Sequence, residues 1–144
     1  MSQRCNKFSP HQLAHIVWAY GALGMRHSEL CEAVSKSCQL EMSGFNANAL
    51  AQICWGFAMV EHRHVSFMHE AARYIVGGIE TLKPLALWRC ASAFNSLMVH
   101  SKEMKESILQ EALQKHEEFS LTLEAENLGP AGFFSMLFNA FAFF

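Results

Sequence analysis

Apolar residues recur along the chain at i, i+3, i+4 and i+7: Leu13, Ile16, Val17 and Tyr20 form one set, and Leu50, Ile53, Cys54 and Phe57 another. This spacing puts four side chains on one stripe of a helix, the stripe a helix needs to dock on a neighbour. A different spacing, i, i+4 and i+8, marks a second helix after each first one: Leu30, Val34 and Cys38, then Phe67, Ala71 and Ile75, then Met104, Ile108 and Ala112. Ser9-Pro10 supplies an N-cap followed by proline at the first helical position, where its missing N–H costs nothing, so the first helix is predicted to start near Pro10. Gly24, Gly44 and the Gly77-Gly78 pair stand where helices are predicted to stop. No segment reads as a strand.

The same pattern returns at a fixed interval. Phe8-Ser-Pro-His-Gln-Leu13-Ala-His-Ile16-Val-Trp18-Ala-Tyr20 comes back as Phe45-Asn-Ala-Asn-Ala-Leu50-Ala-Gln-Ile53-Cys-Trp55-Gly-Phe57, and 45 − 8 = 37. A further step of 37 lands on Leu82, Leu87, Cys90, Ser92, Ala93 and Phe94, and the interval also aligns Leu23, Val60 and Leu97 with one another, and Arg26, Arg63 and His100. A fourth start at Phe134 to Ala142 follows about ten inserted residues, around Leu121 to Gly129. The expectation is an all-α fold, a right-handed α-solenoid of 37-residue helical-hairpin repeats in about three and a half units. The helical-repeat domain covers 8–144, with units 8–44, 45–81 and 82–118, a partial unit 130–144, and a short N-terminal arm 1–7. A hairpin of this size cannot bury both faces alone, so neighbouring units must share one long core.

Composition narrows the functions that fit. Apolar residues make up 51% and charged residues 17%, a balance that argues for a folded domain and against disorder. The formal net charge of −2 supplies no overall basic footprint, so any phosphate-binding surface has to be local. Cys5, Cys31, Cys38, Cys54 and Cys90 form no CxxC pair and mostly take apolar helical positions, which reads as reduced thiols in an intracellular compartment. The longest apolar run, Gly132 to Phe144, is too short for a membrane span and is interrupted by Ser135 and Asn139, so no membrane is expected. No targeting leader is legible before Phe8, and the chain stops mid-unit without a polar cap repeat, as a piece of a longer protein would.

At Leu13-Ala-His-Ile-Val-Trp18-Ala-Tyr20-Gly-Ala-Leu23-Gly and Leu50-Ala-Gln-Ile-Cys-Trp55-Gly-Phe57-Ala the chain resembles the organellar octotricopeptide and heptatricopeptide repeat proteins. It is also similar to the repeat regions of FAST kinase-like and RAP-domain proteins, and to the helical-repeat subunits of protist RNA-editing substrate-binding complexes. The resemblance covers Phe8 to about Glu118 and the half-repeat at the end. It implies RNA binding in mitochondria or plastids, in the processing, stability, editing or translation of organellar transcripts or ribosomal RNA. Partners would be single-stranded RNA and other proteins of a ribonucleoprotein granule in the mitochondrial matrix. The chain departs from these families in its slightly acidic charge and in having no RAP domain after the repeats.

Helical-hairpin RNA binders of the one-base-per-repeat kind read a base with two or three side chains on the first helix of each unit. With Leu13, Ile16, Val17 and Tyr20 turned to the core, positions 11, 12 and 15 face away, and their series are His11, Asn48 and Leu85, then Gln12, Ala49 and Ala86, then His15, Gln52 and Arg89. The last series consists of hydrogen-bonding side chains that vary inside a fixed framework, as a reading position would. The bland alternative is an ordinary polar helix surface. Lys83, Arg26, Arg63 and His64 are candidates for holding phosphates, although Arg26 and Arg63 would serve equally to close helix ends with their aliphatic stems.

Trp18 and Trp55 are expected to pack between units, with base stacking as the other reading. His11 and His15 at i, i+4, or His62, His64 and His69 near one turn, fall short of the four converging ligands of a structural zinc, so no metal and no cofactor are expected. No nucleophile elbow, P-loop, HExxH or Gly-rich phosphate loop is present, and the expectation is a binding module without catalytic residues. The alternative from a different class is a protein–protein interaction scaffold of the tetratricopeptide-like kind, whose Met-rich second helices suit partner helices.

Overall fold

The structure, a computed structural model, describes residues 8–114. The arm 1–7 with Cys5, the end of the third unit from 115, and the partial unit 130–144 lie outside the described residues. Within them the chain is all-helical and no strand is present: α1 (Pro10–Ala22), α2 (Ser28–Leu40), α3 (Ala47–Met59), α4 (Val65–Gly77), α5 (Pro84–Ser96) and α6 (Lys102–Gln114), with short 3₁₀ turns at Met42–Gly44 and Ile79–Thr81.

The six helices form two rows. Packing is densest along α1, α3 and α5, while α2, α4 and α6 make the second row, joined to the first within each hairpin. In the first row the helices run in one direction: a Cβ placed on Gly56 would lie 2.5 Å from Val17 Cγ1 and 3.0 Å from its carbonyl oxygen, and one on Gly21 would meet Met59 Cε at 2.8 Å. Only glycine allows α1 and α3 to approach this closely. The shared core takes Leu13, Val17, Leu50, Ile53, Phe57, Leu87 and Phe94 from the first row, all buried. From the second it takes Leu30, Val34, Cys38, Phe67, Ala71, Ile75, Met104, Ile108 and Ala112, the full i, i+4, i+8 set, also all buried.

The helix ends show how the sequence sets the hairpins. Ser9 caps α1 in a reciprocal box: the Gln12 backbone N–H donates to Ser9 Oγ (3.2 Å) and the Ser9 N–H to Gln12 Oε1 (2.9 Å). Asn46 does the same one-way service for α3. The second helices begin on unusual caps, since His27 Nδ1 accepts from the Leu30 N–H (3.0 Å) and His64 Nδ1 from the Phe67 N–H (3.2 Å), while Ser101 Oγ caps α6.

Each first helix closes through one residue in the left-handed region: Gly24 (φ 66°), Glu61 (φ 58°) and Met98 (φ 54°). The N–H of the next residue, Met25, His62 or Val99, then donates back to the carbonyl of Tyr20, Phe57 or Phe94 at 2.8–2.9 Å, the bond that ends a Schellman turn. Gly44 does not end a helix as expected: α2 stops at Leu40 and Gly44 closes the 3₁₀ turn that follows.

Candidate nucleic-acid interface

The outer stripe of each first helix carries the exposed and half-exposed residues at 11, 15 and 18 in α1, at 48, 52, 55 and 59 in α3, and at 85, 88, 89 and 92 in α5. Because these helices lie side by side, the stripes join into one face. His11, His15 and Asn48 are exposed on it, and Gln52 and Arg89 are half-buried. The imidazoles of His11 and His15 meet edge to face with Nε2 atoms 3.0 Å apart. Arg89 has its Nε buried without a hydrogen-bond partner. Lys83, the N-cap residue of α5, is exposed and makes no side-chain cap of its own.

Position 12 is not uniformly outward. Gln12 is exposed but tied into the capping box, and Ala49 is buried, because the stripe of α3 facing its row neighbours on both sides is wider than that of a helix with one.

Trp55 and Trp88 pack against the edge of the core, and Trp18 lies outside it. Trp18 is 37% exposed and so is not buried between units. Trp55 is half-buried, and its ring packs against Trp88 with centroids 5.3 Å apart and planes tilted by 52°. Trp88 is the residue sequence reasoning missed. The signal was there: it falls where α1 and α3 have the buried alanines Ala14 and Ala51, a place with no room for an indole, so the ring must turn outward onto its neighbour.

Arg26 and Arg63 do not join this face. They sit in the turns after α1 and α3, at the opposite end of those helices from His11 and Lys83. Arg26 is paired with Glu61. Arg63 donates from Nε to the Leu97 carbonyl (2.8 Å), with Nη2 3.5 Å from the Met98 carbonyl. Each arginine thus links its own turn to the next one, and Arg63 closes the C-terminal end of α5, where the last carbonyls lack helical partners.

The same turns hold a small acid–histidine cluster. His62 Nε2 lies 3.4 Å from Glu32 Oε1, and His64 Nε2 lies 3.8 Å from Glu32 Oε2. Burial holds the His62 imidazole below its ordinary range, Glu32 pulls the other way, and His64 pushes it lower again. The His62 Nε2 atom is buried and makes no hydrogen bond, which agrees with burial being the stronger influence.

Three of the buried thiols are held in the protonated form. Cys31 is pushed up to about 11 by burial and by Glu32, Cys90 up to about 12 by burial, and Cys54 well above its ordinary value by burial with Cys90 and Cys38 adding to it. A thiol so raised stays protonated and unreactive. Among the described residues no group of three or more His, Cys, Asp or Glu is placed to hold a metal ion, and no helix is long and apolar enough to cross a membrane. Comparison with models of known protein families, with characterised proteins and with solved structures found no match.

Proposed function

We propose that this chain is a non-enzymatic binding module that holds single-stranded RNA along the face of its first helices, within a right-handed α-solenoid. Helix starts at 10, 47 and 84, and at 28, 65 and 102, support a unit of 37 residues. The observation that carries the reading is the composition of one continuous face: hydrogen-bonding side chains, His11, His15, Asn48, Gln52 and Arg89, beside three accessible or half-accessible indoles, Trp18, Trp55 and Trp88. Splayed-out bases need two things from a protein, an aromatic plane to stack on and a donor or acceptor at the base edge. This face offers both in alternation. The chain's sequence resemblance to organellar repeat proteins is the support for proposing a role in mitochondrial RNA processing, stability, editing or translation, inside a ribonucleoprotein assembly.

The charge of the face sets how such binding responds to salt. Arg26 and Arg63 are engaged between turns, which leaves Lys83 and Arg89 as the cations of the stripe. Two phosphate contacts give a slope of about −1.4 in log K against log salt, on the scale of about −0.7 per phosphate for single strands. Stacking and base-edge contacts must then supply most of the affinity.

The test is fluorescence anisotropy with short labelled RNAs at two salt concentrations. Trp18→Ala and Arg89→Ala should each weaken binding by about 1–3 kcal/mol. Indistinguishable binding by wild type and a His15→Ala, Gln52→Ala, Arg89→Ala triple variant would remove the proposed row. A folded wild type that ignores RNA at low salt would instead favour the protein-scaffold reading.

A further inference from the structure

We infer that His11 and His15 form an open, two-imidazole site for a divalent late first-row cation of the Ni²⁺ or Cu²⁺ type. The two residues lie one turn apart on α1, are both exposed, and bring their Nε2 atoms to 3.0 Å with ring centroids 4.4 Å apart. With metal–nitrogen bonds of about 2.05 Å, a separation of 3.0 Å subtends an angle of about 94° at the metal. A tetrahedral corner of about 109° requires the nitrogens roughly 3.3 Å apart. A small adjustment of these two exposed side chains therefore brings both nitrogens onto one ion, and two imidazoles completed by water or other oxygen ligands suit the tetragonal and octahedral N,O sites.

Two further features favour the site. The first turn of α1 is fixed by the Ser9–Gln12 capping box and by Pro10, so the spacing is set by an ordered helix. At the matching places of α3 stand Asn48 and Gln52, which carry no charge. Without metal, one Nε2–H donates to the lone pair of the other ring. When the cation binds, that proton moves to Nδ1 of its own ring, both Nε2 lone pairs face the metal, and no proton is released from the neutral rings. Only two protein ligands are supplied, so the remaining positions hold water or an oxygen ligand from outside, and the site is exchangeable. This distinguishes it from a structural metal centre, and the inference stands whether or not the face binds RNA.

The other histidine cluster is a poorer candidate. His64 spends its Nδ1 on the α4 cap, and His62 has its Nε2 buried.

The experiment is calorimetric titration of the full chain with Ni²⁺ at pH 7.5, with wild type, His15→Gln and His62→Gln compared and folding checked by circular dichroism. Wild type and His62→Gln should take up one equivalent alike, and His15→Gln should lose affinity by about tenfold or more. Equal binding by wild type and His15→Gln, or a loss that follows His62→Gln instead, overturns the inference.

Discussion

Adding one methyl group at Gly56 should destabilise the protein, although the same change in a free helix would stabilise it. Gly56 lies inside α3, where Ala is favoured over Gly by about 0.8–1.0 kcal/mol on propensity alone. Against that stands the contact with α1. The new Cβ would sit 2.5 Å from Val17 Cγ1, 3.0 Å from the Val17 carbonyl oxygen and 3.1 Å from its carbonyl carbon. The methyl cannot swing away freely, because a β-branched side chain in a helix has one strongly preferred rotamer. The other two atoms are backbone, so α1 itself must back off, loosening Leu13 and Val17, which are buried against α3. Overpacking of this kind costs about 1–3 kcal/mol, and it should outweigh the propensity gain. We expect a net loss of about 1 kcal/mol, or a few degrees in thermal midpoint followed by circular dichroism.

Two other glycines provide controls. A Cβ on Gly77, the last residue of α4, meets nothing within 4 Å, so Gly77→Ala should leave stability unchanged or raise it by a few tenths of a kcal/mol. Gly24→Ala also meets nothing, yet φ is +66°, so it should cost about 1–2 kcal/mol through backbone strain alone. A Gly56→Ala protein as stable as wild type would refute the close approach of α1 and α3.

Met98 adopts φ 54° with a largely exposed side chain, so Met98→Gly relieves left-handed strain of about 1–2 kcal/mol and loses about 0.5–1 to chain entropy. A rise in urea midpoint is expected, and a fall would show that the Met98 side chain contributes packing. Acid should weaken the fold from about pH 6.5 downward: the His62 imidazole is held below its ordinary value, so the unfolded chain takes up its proton first, and stability present above the unfolded value is lost as pH falls. His62→Gln should flatten that part of the midpoint-against-pH curve. An unchanged curve in His62→Gln would remove His62 from the account.

The central stripe of the second row was legible, because the i, i+4, i+8 positions are apolar in every helix, but its flanks were not: Cys31, Ala33, Ser35, Met68 and Ala72 are buried as well. The first row was harder. Its stripe is so rich in apolar residues that Trp18 and Trp55 read as more of the same, yet Trp18 is exposed. The exchange Trp18, Trp55, Ser92 pointed to the right answer, since a site that holds either indole or hydroxyl is not a close-packed interior. Ala49 misled in the other direction, because alanine carries no sign of which way it faces. The roles of Arg26 and Arg63 were undecidable from spacing. Their partners, Glu61 and the Leu97 carbonyl, lie 35 and 34 residues onward, and only the stacking of one turn on the next brings them together.

That stacking divides the molecule between two kinds of work. At the turn end of the first helices, polar groups are spent on the fold: Arg26 and Arg63 tie successive turns, and His27 and His64 cap the second helices. None of these residues can change freely, since each leaves a helix end or a neighbouring turn without its partner. Along the outer stripe the situation is reversed. His15, Gln52 and Arg89 occupy matching places, yet none of the three forms a hydrogen bond that holds one helix to another. Replacing one by another therefore alters the chemistry of the outer face and leaves the buried rows beneath it as they were. If the proposed function holds, ligand preference can change at one of these places without disturbing the fold, and a constant apolar framework with a varying polar column is what such a division produces.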